Sequence, residues 1–237
     1  MFSYKCSQRT ANIVLYDTPL PWVQSYKHLG HLIHTDQCTS HDLLQRKAEF
    51  VSKLHALRQE LGNQNPDVFM SLVYIYLSSM YGSSLWDLYS EAAGQLYSAW
   101  NVLVKQTYNL PFPTHRYISQ EMLSKPHIRV CLLKRFVKFY GKLKTSNKPQ
   151  VAHLFQLQKS DCRSTFGLNC FNLCREMNVE GVEDINIKNI SMPIKTEAQN
   201  SWRVPFLKEL LSLREGSCES GLSNIEINDI INHICCE

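Results

Sequence analysis

No two aspartates stand side by side anywhere in these 237 residues. That absence argues against autonomous two-metal nucleotidyl transfer, which needs clustered carboxylates to hold ions roughly 3.5–4 Å apart. Asp36, Asp42, Asp67 and Asp161 are scattered over helix starts and turns, and the nearest acidic pair, Glu183-Asp184, lies in a weakly patterned stretch. There is no glycine-rich loop ahead of a Lys-Ser/Thr pair and no G-x-G-x-x-G, so neither phosphate cradle is present. A nucleophile elbow and an H-E-x-x-H zinc motif are also missing. The longest nearly apolar run, residues 66–81, is broken by Asp67, Ser71, Ser78 and Ser79. It is too short for a bilayer and predicts a buried helix instead. The opening MFSYKCSQRT lacks an apolar h-region, which argues against a signal peptide and for an intracellular chain, cytoplasmic or nuclear. In a reducing compartment the nine cysteines are expected as free thiols, and an odd number cannot all pair.

Two spacings invite a metal reading and do not sustain it. In 26-YKHLGHLIHT-35, His28, His31 and His34 recur every three residues, with His41 close behind. Zinc needs ligands that converge on one point. On a strand, residues three apart face opposite sides, and Gly30 argues against a helix. The histidines therefore read as polar residues on the wet side of a sheet edge. Cys162, Cys170 and Cys174 have no following histidine at finger spacing, and Cys170 and Cys174, one helical turn apart, read as small hydrophobes. No metal and no cofactor is expected.

What is present is a globular composition, 44% apolar and 11% aromatic. The net charge is only +4 but uneven: from Lys125 to Lys148 there are eight basic residues and no acidic one, leaving 17 basic against 21 acidic elsewhere. A local +8 on a mildly acidic body points to a polyanion-facing patch.

Along the chain, MFSYK, ANIVLY and YKHLGHLI read as strands broken by CSQRT, Pro19 and Pro21. Everything after them reads as helix. Ser40–Leu61 buries Leu43, Phe50, Leu54, Leu57 and Leu61, with Lys47 and Arg58 inside the apolar arc, either snorkelling or facing a partner. Asn65-Pro66 caps a second helix running to about Tyr81, apolar almost all round and hence central. A third, about Ser90 to Tyr108, buries Ala93, Tyr97, Trp100 and Val104, and NLPFPT ends it. A short helix follows Thr114. In PHIRVCLLKRFVKFYGKL, Lys134, Arg135, Lys138 and Lys142 share a wedge about 100° wide, with apolar residues on the rest. Residues 150–159 and 164–177 read as short helices, and 178–195 as a linker. SWRVPFLKELLSLRE and SNIEINDIINHICC close the chain. The last carries a capping box at Ser223 and Glu226 and an isoleucine stripe at 227, 230, 231 and 234 that suits a protein partner.

Several segments, in this order, resemble the C-terminal part of non-LTR (LINE-type) retrotransposon reverse transcriptases. The motif Y-K-x-L-G appears as Tyr26, Lys27, Leu29 and Gly30, followed by Leu32 and Ile33, and it is preceded by the hairpin-like ANIVLYDTPLPWVQS. A Tyr-Gly-Ser and a Trp follow in 81-YGSSLW-86, contributing Tyr81, Gly82 and Trp86. A Leu-Pro-x-x-Thr-His segment follows as Leu110, Pro111, Thr114 and His115, and 135-RFVKFYGKLKTS-146 comes last. The resemblance covers roughly residues 1–175. It implies a mainly α fold with palm-remnant strands at 1–38 and a thumb-like helical domain at 39–177; the residue pattern alone adds a linker at 178–195 and a C-terminal helical extension at 196–237. The resemblance, for its part, carries a reading of function. It implies an RNA-directed DNA polymerase fragment without its catalytic aspartates, in which magnesium belongs to the full-length enzyme. Such a fragment would hold the backbone of a primer–template duplex, through Lys134, Arg135, Lys138 and Lys142 and, as a second surface, Lys47 and Arg58. The alternative is a host helical interaction module with no nucleic-acid role. Trp86, Trp100 and Tyr81 are expected as core aromatics.

Overall fold

A computed structural model of the chain describes residues 14–19, 23–34, 39–61, 65–77, 80–123, 125–161, 163–190, 209–211 and 224–236. Two small antiparallel hairpins come first. β1 (Val14–Leu15) pairs with β2 (Thr18–Pro19), and β3 (Ser25–His28) pairs with β4 (His31–His34) in the register Tyr26↔Ile33 and His28↔His31. The β3–β4 turn has positive φ at both central residues, Leu29 (+49°) and Gly30 (+85°). That combination matches the right-handed strand twist and suits glycine far better than leucine. The expected strand MFSYK lies outside the described residues.

The helices are α1 (Ser40–Leu61), α2 (Pro66–Leu72), α3 (Glu91–Thr107), α4 (Arg116–Met122), α5 (Ile128–Lys144), α6 (Pro149–Ser160), α7 (Thr165–Met177) and α8 (Asn224–Cys236). The chain is mainly helical with short N-terminal strands, as the patterning predicts. Caps set several starts: Asn65 Oδ1 accepts from the Asp67 N–H, Ser90 Oγ from Ala93, and Ser164 Oγ from Gly167. The second helix differs from expectation. It changes from α to a π turn at Val73–Leu77, so the run to Tyr81 is not one regular helix. Tyr81 is 70% exposed rather than buried, because Met80 and Gly82 on either side take positive φ and swing it outward.

One contiguous core joins all the helical layers, with Trp86 and Trp100 fully enclosed in it as expected. Phe50 stacks on Trp100, and Tyr74 meets the same ring edge-on. The segment 80–90 threads between helices and is clamped from two sides. Buried Asn169 on α7 accepts from the Leu88 N–H (3.0 Å) and donates Nδ2 to the Trp86 carbonyl (2.8 Å). These bonds satisfy backbone groups that no helix or strand pairs. At the α6–α7 junction a Cβ on Gly167 would lie 2.2 Å from the Asp161 carbonyl, so only glycine permits that approach.

Two expectations are corrected here. The stretch read as a linker is packed over its described part, 178–190: two 3-10 turns place Val182, Ile185 and Ile190 in the core. Its apolar residues sit at irregular spacing, so neither helix nor strand periodicity reveals them. The isoleucine stripe of α8 is turned inward, with Ile227 and Ile231 fully buried and Ile230 packed beside them. Apolar stripes are more often satisfied by their own core than by a partner. Residues 191–195, the Ser223 cap, most of SWRVPFLKELLSLRE and the side chain of Ile234 lie outside the described residues. Among the described residues no helix is long and apolar enough to cross a membrane.

Candidate nucleic-acid interface

α5 is fixed at its start by His127. The buried imidazole accepts from the Arg129 N–H through Nδ1 (3.1 Å) and pairs through Nε2 with Asn101 Oδ1 (3.1 Å). Burial, and then Arg116 and Arg129 nearby, push its pKa down to about 3. Inward, Ile128, Val130, Leu132, Leu133, Phe136, Val137 and Tyr140 enter the core, and Tyr140 stacks on Phe166 from α7. The helix is therefore held rigidly on one side.

The opposite side carries the predicted cations. Lys134 and Arg135 are half-buried along their stems, while Lys138 and Lys142 stand in solvent. Gly141 lies in the same wedge, and a Cβ there would meet nothing within 4 Å, so the surface between the lysines is open. Lys134, Lys138 and Lys142 are four residues apart, spanning about 12 Å of helix rise. Over that length a duplex presents several phosphates, at about one charge per 1.7 Å of axis.

Nearby carboxylates are engaged elsewhere. Glu176 takes a two-pronged contact from Arg129 (2.8 and 2.6 Å) and the Tyr89 hydroxyl. Glu183 accepts from Tyr140 and pairs with Lys159 and, at 3.9 Å, Lys144. The Tyr140 hydrogen bond, the local backbone and those two lysines draw the Glu183 carboxyl down to about 2. Among the described residues none of Lys134, Lys138 and Lys142 is ion-paired. The sequence holds no acidic residue from 122 to 160, which underlies this sorting.

Lys47 and Arg58 lie apart from this wedge, along the seam between α1 and α3. Lys47 Nζ donates to Gln95 Oε1 (3.1 Å) and Arg58 Nη1 to Gln106 Oε1 (3.3 Å), and Arg58 also rests over the Phe69 ring. Both pairs are 48 residues apart in sequence, so α1 and α3 run parallel and in step. Their stems pack, their heads are oriented by neutral amides, and among the described residues neither carries an acidic partner.

The residues of the family-like motifs divide. Tyr26 and Leu29 are exposed, and the Gly30 carbonyl accepts from Arg46. Leu110 and Thr114 are buried with Pro111 between them, and His115 occupies the N-cap position of α4 without a side-chain capping bond. Lys27 is exposed at the hairpin. The first two motif segments meet at a residue that the sequence reading passed over as a scattered aspartate. Asp42, 4% exposed, accepts from His31 Nδ1 (2.8 Å), the Leu32 N–H (2.9 Å) and Trp86 Nε1 (2.7 Å). Burial raises its carboxyl, and the three donors outweigh that and hold it below its ordinary value. His31 is thus not on a wet edge: its ring is drawn inward by Asp42 and lies against Gly82 and Tyr81. The one legible sign was an acid in the first turn of a helix, which is common and unspecific.

Among the described residues no group of three or more His, Cys, Asp or Glu side chains is arranged to hold a metal. Cys131 and Cys174 are half-buried and Cys170 buried, and burial pushes the Cys170 thiol up to about 12, which suits packing rather than reactivity. Comparison with protein-family models, curated proteins and solved structures finds no match.

Proposed function

We propose that this chain grips the backbone of duplex nucleic acid without reading its sequence. In this reading it is a thumb-like helical module akin to the C-terminal part of a non-LTR reverse transcriptase, and it transfers no nucleotides by itself. The observation that carries the proposal is the α5 wedge: three lysines in line, none ion-paired among the described residues, on a helix whose other side is locked into the core. Such a surface neutralises phosphates and positions a duplex but discriminates no bases. The junction at Asp42 adds support, since it fastens the Y-K-x-L-G hairpin to the Trp86 segment as one unit. The alternative, a module that docks proteins through the terminal helix, loses its main apolar contacts to the chain's own core.

The test is salt-dependent binding to a labelled RNA–DNA duplex. Four backbone contacts give a log–log slope of roughly −3.6 and an affinity loss on the order of 100-fold between 50 and 200 mM salt. Charge reversal at Lys134, Lys138 and Lys142 is expected to abolish binding and leave the helical circular dichroism intact. Binding that ignores salt, or survives the reversal, removes the proposal.

A further inference from the structure

The loop between α3 and α4 carries a side chain with no task in the fold. Phe112 is 79% exposed, while Leu110 and Thr114 on either side of the same turn are buried. Exposure alone means little, since single apolar residues are common on surfaces. The manner of presentation is the informative part. Thr114 returns both its N–H (3.1 Å) and its hydroxyl (2.6 Å) to the Pro111 carbonyl, closing a turn whose tip is Phe112-Pro113. Proline after each of them steers Leu110 and Phe112 away from helical backbone. Lys105 Nζ donates to the Phe112 carbonyl (2.7 Å) and lies over one face of its ring, 5.6 Å from the centroid. Among the described residues no other ring touches the remaining face. The turn beneath the ring is held, and the ring has a cation over one face.

Residues 92–120 contain no acidic side chain, Lys105, His115 and Arg116 border the loop, and the Asp67 carboxylate at the end of α3 is engaged by the Tyr108 hydroxyl (2.6 Å). Asn101, one helical turn before Lys105 on α3, is bonded to His127 at the start of α5 (3.1 Å), which brings this end of α3 alongside α5. Aromatic rings beside cations are the usual receptors for unpaired bases, because every base has a π face and stacking needs no sequence.

We infer that Phe112 is a stacking finger that takes the face of an unpaired nucleobase next to the duplex held by α5. This rests on the backbone-gripping reading and names what the molecule does at the end of that duplex. The ligand class is a junction between double-stranded and single-stranded nucleic acid.

The experiment compares a blunt duplex with the same duplex bearing a four-nucleotide overhang that contains 2-aminopurine, at constant salt. Wild-type protein is expected to prefer the overhang and to change the 2-aminopurine fluorescence. Phe112→Ala is expected to weaken overhang binding roughly 5- to 150-fold, to leave blunt-duplex binding and the salt slope unchanged, and to lose the fluorescence change. Phe112→Trp is expected to restore all three. The ring makes no core contact, so a melting temperature equal to wild type serves as the folding control. If wild type and Phe112→Ala bind the overhang equally, the inference falls while the grip stands, and the ring belongs to a protein pocket instead. An equal loss on both duplexes also overturns it. If wild type binds neither duplex, the grip itself is wrong and the finger goes with it.

Discussion

Asp42 is a single carboxylate asked to satisfy three donors from two parts of the chain, β4 and the Trp86 segment. Removing it strands the Trp86 indole N–H in the core, and a buried unpaired donor costs about 1–3 kcal/mol before the loss of the hairpin contact is counted. Asp42→Ala is therefore expected to lower unfolding free energy by about 3 kcal/mol in urea titration, with Asp42→Asn intermediate because one oxygen still accepts. Leu29 has the opposite prospect. An exposed leucine held at φ +49° is a poor choice for its turn, and Leu29→Asn is expected to stabilise the β3–β4 hairpin by about 1 kcal/mol, visible as slower amide exchange at residues 25–34. His127 sets a pH dependence. Its pKa is about 3 in the fold against roughly 6.5 in the unfolded chain, so the unfolded state binds the extra proton between those values. The stability it contributes is complete above pH 6.5 and drains away as pH falls toward 3, at up to about 1.4 kcal/mol per pH unit. Unfolding free energies from urea titration at pH 7 and pH 5 should differ by about 2 kcal/mol in wild type and clearly less in His127→Asn, which keeps a capping acceptor for Arg129.

At the scale of elements, α5 and α7 are joined by the Arg129–Glu176 fork, whose partners are largely shielded from solvent. Lysine cannot reproduce two parallel N–H contacts or the stack over Tyr89, so Arg129→Lys is expected to destabilise by about 1–2 kcal/mol despite keeping the charge. A double-mutant cycle with Glu176→Gln measures the coupling. The elements themselves were largely legible. Periodicity and caps locate the ends of α1, and those of α3, α5, α6 and α7 to within two residues. The basic wedge was legible too, because a helical wheel needs only residue type and spacing. Other features were not. The π turn after α2 follows from packing of Tyr74 against Trp100 and its bond to the Pro126 carbonyl, contacts 26 and 52 residues away in sequence. The anchoring of 178–190 depends on isolated isoleucines without a period. His31 and Asp42 are ordinary polar residues whose meaning appears only when a strand, a helix start and Trp86 converge.

For the molecule as a whole, the helices share one core while the β3–β4 hairpin is attached through a few polar contacts at its β4 side. Tyr26 and Ile33, paired across its strands, remain exposed. Exchange of the hairpin amides is accordingly expected to be orders of magnitude faster than that of α3 and α5, since local opening there exposes little buried apolar surface. The Asn169 clamp has a bearing on how the protein is made. The two backbone groups it satisfies, on Trp86 and Leu88, precede it by 83 and 81 residues. At about 5–20 residues per second, a ribosome takes roughly 4 to 16 seconds to deliver the asparagine after the tryptophan has been added. Through that interval the middle of the nascent polypeptide holds an unlatched tryptophan loop, the natural point for a chaperone to engage and for a stalled product ending before α7 to clump.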